Sequence, residues 1–504
     1  MTMVAYLITT TGSRLIRVAG RREVRRKSTD SGGVVEGVWI FARHGDRTPS
    51  RSLCPPDRKD EEAAFWRTKL PTPDPVTALK ILSEHFPADI HPSNAGEFLD
   101  VGRRPFGFLT KVGIEQLRNN GRRFFLRYER DGNFGSTQDG ANTDSSLHSW
   151  DVQAFSTNYL RTVLSAQCFL DGLLGTKCYK PVDSEETDLD DDESRLVPDH
   201  TTCGDANQGT VKIQVRDRAV DNLNAFDRNP QLIKNLVEDV VTSEGFVSHD
   251  TTAAPLAAQL AHYLPGLVRE TRKTFGGPSG INWIEATDHF VCRRSHGVGF
   301  SLFSEFEDDS ETERTLEAME RETLDHRAWR FRRWYQNPPL LAEIASPALR
   351  EILEQMHSTA ELGVEEKHPF TLYSCHDVTI LALLYGVGAD FLADDGNGSW
   401  KCAWPDYGTT LVFELVRLQD DDGKASHVVR VLLNGDPVQA VNLLDHKEGD
   451  PPEYVGEGPM KMLTMSDFEK IISKLEDVGG MPHEFVPIED EEFSIGRMVK
   501  GDTG

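Results

Sequence analysis

The chain has 504 residues, 38% of them hydrophobic and 27% charged, an ordinary balance for a folded globular protein with room for one elaborated domain or a few smaller ones. A formal net charge of −26 argues against nonspecific nucleic-acid binding, since phosphate backbones are held mainly by lysine and arginine; a local basic pocket is compatible with it. No apolar run is long enough for a transmembrane helix, and the seven cysteines (Cys54, Cys168, Cys178, Cys203, Cys292, Cys375, Cys402) form neither a CxxC pair nor zinc spacing, which argues against a structural zinc site.

Residues 1–27 carry Arg14, Arg17, Arg21, Arg22, Arg25, Arg26 and Lys27 against Glu23 alone. That composition suits a mitochondrial transit peptide, with a basic tail on a cytoplasmic protein as the alternative. A secretory signal fits poorly, because the charges follow the short apolar stretch. The β-branched and aromatic run Gly33–Ala42 then reads as a buried strand, ending in the turn-forming "RHGDRTPSR". An amphipathic helix follows from about Thr110, with Val112, Leu117, Phe124 and Leu126 among polar residues. Trp150–Asn158 reads as a second strand, and "LRTVLSAQCFLDGLL" as a helix with Asn158 at its cap.

The acid-rich run from Val182 to His200 has the composition of a solvated loop and lacks the glycine and spacing of an EF-hand calcium site. Helical patterns dominate from about Asn224 to Leu362. From Pro369 strands return: "FTLYSCHD", then the apolar helix "VTILALLYGVG", then the paired strands "GTTLVFELVRL" and "HVVRVLLNG", and a last helix, "MSDFEKIISKL", capped by Ser466. The predicted organisation is a basic tail over 1–32, a discontinuous α/β core over 33–185 and 365–490, an acidic loop and mainly helical cap over 186–364, and a tail over 491–504. Asn397 begins an "NGS" acceptor for glycosylation in a secreted chain, and Cys375 reads as a buried small residue.

In open α/β sheets ligands sit beyond the carboxyl ends of the strands. Three polar clusters fall at such ends: Arg43, His44 and Arg47, then Arg161, then His376 with Asp377. Three arginines, two histidines and a carboxyl suit a phosphate monoester. Guanidinium forks match phosphoryl oxygens and stay charged, and phosphoryl transfer needs mainly positioning and charge neutralisation. A neutral imidazole can attack phosphorus to form a phosphohistidine, and a carboxyl held protonated can protonate the departing alkoxide. Arg-His-Gly-x-Arg-x-Pro fixes five positions, a coincidence on the order of one in ten thousand for a chain this long. Within it, Gly45 is expected to let the backbone approach phosphate and Pro49 to open the following segment.

These residues carry a resemblance. "RHGDRTP" (Arg43–Pro49), "FLTKVGIEQL" (Phe108–Leu117), "STNYLRTVLSAQCFLDGLL" (Ser156–Leu174), "SCHDVTILALL" (Ser374–Leu384) and "WPDYGTTLVFEL" (Trp404–Leu415) are similar, in order, to blocks of the histidine acid phosphatases, branch 2 of the histidine phosphatase superfamily. The resemblance implies a phosphoglycerate mutase-like mixed sheet flanked by helices with a helical cap, and a metal-independent acid phosphatase without a cofactor. It implies His44 as the phosphorylated nucleophile, Arg43, Arg47 and Arg161 as the phosphate clamp, His376 as a further phosphate ligand, and Asp377 as the proton donor. Within the family the blocks look most similar to the lysophosphatidic acid phosphatase type 6 group. Many members have an arginine before the Ser-Thr pair and an aspartate after it; Phe155 and Asn158 stand there instead. The expected partner is a small phosphate monoester or lysophospholipid. Two other readings stay open: an inositol polyphosphate phosphatase or phytase, whose substrate would favour extra basic residues around the pocket, and a catalytically silent phosphate-binding protein.

Overall fold

The computed structural model describes residues 33–54, 58–72, 75–94, 104–130, 150–174, 179–180, 197–198, 211–268, 281–299, 310–361, 368–389, 391–392, 404–419, 425–438 and 462–479. The basic stretch 1–27, most of the acidic run, Asn397 and the tail 491–504 lie outside them.

The predicted first strand, β1 (Val34–Arg43), is the centre of the sheet, and its side chains alternate between two cores. Val38, Ile40 and Ala42 enter one core while Trp39 and Phe41 enter the other, as the two-residue period of a strand covered on both faces requires. Helices α1 (Lys59–Arg67) and α2 (Pro75–Leu82) lead to a short strand, β2 (Ala88–Ile90), and then to α3 (Lys111–Arg130). Strand β3 (Trp150–Ser156) runs into α4 (Leu160–Leu174). The carbonyl of Tyr159 accepts from the backbone of Thr162 and Val163, so the helix is entered one residue past the predicted cap at Asn158. Two-residue strands β4 (Tyr179–Lys180) and β5 (Val197–Pro198) pair with each other, and β6 (Ile213–Val215) rejoins the main sheet.

The helical stretch then holds α5 (Ala225–Arg228), α6 (Pro230–Val241), α7 (Glu244–Thr252), α8 (Ala254–Tyr263), α9 (Trp283–Ser295), α10 (Ser310–Tyr335) and α11 (Pro338–Glu361). Strand β7 (His368–Cys375), helix α12 (Asp377–Gly386), strands β8 (Thr410–Gln419), β9 (Ala425–Leu433), β10 (Asp436–Pro437) and β11 (Leu463–Thr464), and helix α13 (Met465–Gly479) complete the chain. Thr464, not Ser466, caps α13: its Oγ1 accepts from the backbone of Asp467 at 3.1 Å.

The nine-stranded sheet has the order β10-β9-β8-β1-β7-β3-β6-β2, with β11 added to β9. β1, β7, β3, β6 and β2 are mutually parallel, and β8 and β9 are antiparallel to β1 and to each other respectively. One face is covered by α2, α3 and α4 and the other by α6, α11, α12 and α13. α11 therefore packs as a sheet-covering helix through Ile344, Leu349 and Ile352, although it lies inside the sequence range expected to form a cap. A separate apolar cluster joins Leu53 to α8, α9 and α10 through Leu260, Trp283, Phe290 and Leu316. Among the described residues no helix is long and apolar enough to cross a membrane.

Register fixes where chemistry can occur. Arg43 pairs with Cys375 and Ser156 with Ser374, so β1, β7 and β3 end level with one another. The residues that follow each strand, His44, His376 and Thr157, therefore emerge along one edge.

Candidate active site

The loop after β1 is held by its backbone. His44 donates its N–H to the Cys375 carbonyl at 3.1 Å and accepts from the Gly408 N–H at 3.2 Å, while Gly45 donates to Ser165 Oγ at 3.2 Å. Gly45 serves a different close approach from the one expected. A Cβ there would lie 2.5 Å from the Gly113 carbonyl oxygen, and one on Gly113 would lie 2.2 Å from the Asp46 carbonyl oxygen. The two glycines let α3 press against the loop from below. Pro49 does not open a helix; its carbonyl accepts from Gly107 at 2.7 Å, and the next helix begins at Lys59.

Arg43, His44, Arg47, Arg161, His376 and Asp377 all line one cavity of about 90 Å³. That is several times the ~10–15 Å³ a single water needs, the scale of one phosphoryl group and the first atoms of its ester. The His44 and His376 rings meet edge to face with centroids 5.6 Å apart. Arg43 Nη2 lies 3.0 Å from Asp377 Oδ2, and its Nη1 donates to the Pro405 carbonyl. Among the described residues no acceptor lies within reach of the buried Nε of Arg43 or Arg47. Buried N–H donors without protein acceptors are the complement of an anion.

Hydrogen bonds set the imidazoles. His44 Nδ1 lies 2.9 Å from the Gly45 carbonyl, an acceptor only, so Nδ1 carries the proton and Nε2 keeps its lone pair. His376 Nε2 lies 3.1 Å from Thr157 Oγ1, which donates to Thr162 Oγ1 at 3.0 Å, and Thr162 Oγ1 in turn donates to backbone carbonyls. The chain of donors runs outward from His376, so its Nε2 carries a proton. Burial holds the His44 pKa well below the ordinary imidazole range, and Arg161, Arg43, Arg47 and His376 push it the same way. His376 is lowered for the same first reason, burial, with Arg161 adding to it against the opposing Asp377. Both rings are neutral in the resting site.

Asp377 departs from expectation. Burial would raise its pKa, but Arg43, Arg327 and the Trp404 N–H together hold it well below the usual carboxylate range. Trp404 Nε1 donates to Oδ2 at 2.7 Å and the Val378 N–H to Oδ1 at 2.9 Å. The resting carboxyl is thus a carboxylate, where the sequence argument needed it already protonated.

Four further residues enter, Asp288, Arg327, Trp404 and Tyr407, to none of which the sequence assigned a role. Asp288 on α9 sets Oδ1 2.8 Å from Arg47 Nη2 and accepts the Ser50 N–H on Oδ2 at 2.7 Å. Tyr407 lies under the Arg43 guanidinium at 4.3 Å, and its hydroxyl lies 3.3 Å from Cys292 Sγ. Arg327 on α10 stacks on Trp404 at 3.7 Å. α9 runs along the whole loop: Glu285 pairs with Arg51, Asp288 with Arg47, and Ser295 donates to the buried Asp46. Trp404 and Tyr407 sat in a quoted block; Asp288 and Arg327 had no local signal beyond being charges in helices.

A family model for the histidine phosphatase superfamily (branch 2) matches residues 34–434, spanning the loop after β1, Arg161 and the His376–Asp377 pair. The chain belongs to this family. This histidine phosphatase is a phosphoric monoester hydrolase, and its mixed sheet flanked by helices agrees with that assignment. A search of curated proteins found no match. Among solved structures it is similar to the Bifidobacterium longum multiple inositol polyphosphate phosphatase in complex with inositol hexasulfate, at 13% identity and a TM-score of 0.50, covering 90% of this chain and 95% of that one. It is also similar to the Citrobacter braakii phytase, at 15% identity and a TM-score of 0.46 over 88% and 98% of the two chains. The Hafnia alvei phytase in its apo form matches at 14% identity and a TM-score of 0.46 over 90% and 100%. Identities this low speak for the fold alone.

Proposed function

We propose that this phosphatase works without a metal, through a phosphohistidine at His44, on monoesters with an apolar leaving group such as lysophosphatidate. What supports the reading is the convergence of His44, Arg43, Arg47, Arg161, His376 and Asp377 on one small cavity at the level ends of three strands.

The ionised Asp377 fixes where the proton comes from. A phosphate monoester has a second pKa near 6, so in mild acid it arrives as a monoanion carrying one proton. Its oxygens compete with Asp377 for Arg43. As that guanidinium turns to phosphate, the phosphoryl proton passes to the Asp377 carboxylate. His44 Nε2 then attacks phosphorus in line while the P–O ester bond breaks, and the departing alkoxide takes the proton from Asp377 to leave as the alcohol. Water next attacks phosphorus as the N–P bond breaks, giving one proton to Asp377, and free imidazole is restored; Asp377 returns that proton to the departing phosphate and is again a carboxylate. Arg43, Arg47 and Arg161 balance the charge on the phosphoryl oxygens throughout, and His376, neutral while the site is empty, joins them when the bound anion favours a proton on its Nδ1.

The rest of the cavity wall supports an amphiphilic substrate. Ile284, Val291, Phe331, Val378 and Trp404 line it, and among the described residues it contains no lysine. An apolar wall beside a single cluster of cations fits one phosphate on an aliphatic body better than a ring of phosphates. The inositol polyphosphate reading is the activity named for the Bifidobacterium longum protein, and the surplus Arg327 is the one feature in its favour. The basic composition of residues 1–27 supports a mitochondrial address.

The deciding experiment is phosphate release in the presence of chelator from lysophosphatidate and from inositol hexakisphosphate, with His44→Ala as control. Faster turnover of lysophosphatidate, abolished in His44→Ala, is expected. Preference for the hexakisphosphate would replace the substrate assignment, and release surviving in His44→Ala would overturn the mechanism.

A further inference from the structure

Arg327 has no counterpart among the six residues that the sequence singled out. It projects from α10 and is buried, with its guanidinium carbon 3.7 Å from the Trp404 ring centroid and 5.5 Å from that of Phe331. Its Nη2 lies 3.7 Å from Asp377 Oδ2, and among the described residues its buried Nε has no acceptor. Trp404 is shared: its ring carries Arg327 and its Nε1–H donates to the same Oδ2.

The groups facing Asp377 come from every side. β1 contributes Arg43, the start of α12 His376, β7 Cys375, α10 Arg327 and Tyr335, and the segment before β8 Trp404. Among the described residues only Arg43 and Arg327 place a permanent charge against Oδ2, and they are not equivalent. Arg43 belongs to the phosphate clamp, continuous with His44, and is drawn off when an anion arrives. Arg327 reaches the acid from α10, outside the loop that carries the nucleophile, and is stacked on Trp404.

We propose that Arg327, seated on Trp404, is the positioning group that decides when Asp377 can carry a proton. Arg327 and Trp404 keep the acid ionised until substrate neutralises the surrounding cations, and so confine alkoxide protonation to the loaded site. This rests on the assignment of Asp377 as the proton donor. It also gives the helical insertion a share in the chemistry: a change in α10 alters the acid without touching the nucleophile.

The test uses pH profiles of kcat for two esters. One is a simple alkyl phosphate, whose alkoxide must be protonated; the other is 4-nitrophenyl phosphate, whose leaving group departs without a proton. Removing a cation from beside Asp377 favours its protonated form, so the alkaline limb moves to higher pH. In Arg327→Met the limb for the alkyl ester should rise by roughly one pH unit, a tenfold gain in rate at the alkaline edge, with the aryl limb unmoved. Trp404→Phe, which loses the N–H donor, should move the limb the same way by less, and Arg327→Lys should leave it near wild type. Two readable variants guard against one that fails to fold. An unmoved alkyl limb in Arg327→Met and Trp404→Phe, with KM raised equally for both esters, would make Arg327 a phosphate clamp and overturn the inference. A wild-type enzyme that hydrolyses neither ester would instead overturn the mechanism on which it rests.

Discussion

The Asp288–Arg47 pair is the most exposed point of the account, because Arg47 is placed to serve two anions in turn. Arg47 Nη2 lies 2.8 Å from Asp288 Oδ1, and the two side chains are 14% and 9% exposed. Burial disfavours a charged guanidinium, yet Asp288 holds the Arg47 pKa well above its ordinary value; Arg47 in turn outweighs burial to hold Asp288 below its own. Removing one partner of such a buried pair costs about 3–5 kcal/mol, since the other charge is stranded. Asp288→Asn keeps an oxygen for the Ser50 N–H, so the loss should fall at the lower end, about 3 kcal/mol. Inorganic phosphate can replace the missing carboxylate at Arg47. Thermal unfolding of wild type and Asp288→Asn, with and without saturating phosphate, measures both effects. The variant should be less stable without phosphate, gain more from phosphate than wild type does, and turn over more slowly because Arg47 is no longer aimed. Equal stability without phosphate, or equal stabilisation by it, would refute the reasoning.

Two other outcomes follow from the same geometry. Thr157→Val removes the acceptor of His376 Nε2–H inside the protein. An unmet buried donor costs about 1–3 kcal/mol, so kcat/KM should fall tenfold to a hundredfold while Thr157→Ser retains most of it; equal losses in the two variants would show that the hydroxyl is not what positions the ring. The second outcome concerns pH. His44 and His376 have folded-state pKa values below the unfolded one near 6.5. The stability they contribute is complete above that value and is lost as pH falls toward the folded values, because the unfolded chain binds the protons first. Urea unfolding of the ligand-free protein should therefore weaken below about pH 6.5, and His376→Gln should flatten the slope. A stability unchanged between neutral pH and mild acid would contradict the neutral state of these rings.

The sequence disclosed the strand ends and little of what surrounds them. Arg43, His44 and Arg47 were visible because a buried β-branched run breaks abruptly into charge, and His376–Asp377 because a second run does the same. Strands β2 and β6 went unread because three residues are too few to establish a period. Asp288 and Arg327 were not visible as site residues, since a charge in an amphipathic helix usually faces water. Only the packing of α9 along the loop and of α10 over Trp404 turns them inward. For the same reason the ionisation of Asp377 could not be read: it depends on Arg327, 50 residues before it, and Trp404, 27 residues after it. Gly45 was recognised as a close approach, but its neighbour is Gly113 of α3.

The claim on which the rest depends is that His44 becomes phosphorylated. Rapid acid-free quenching of enzyme mixed with a phosphate monoester and chelator, followed by mass spectrometry of the peptide containing Arg43–Arg47, tests it directly. The account predicts one alkali-stable, acid-labile phosphate on His44, formed and lost at rates consistent with turnover and absent from His44→Ala. Turnover without a phosphoenzyme, or with phosphate on another residue, would contradict it.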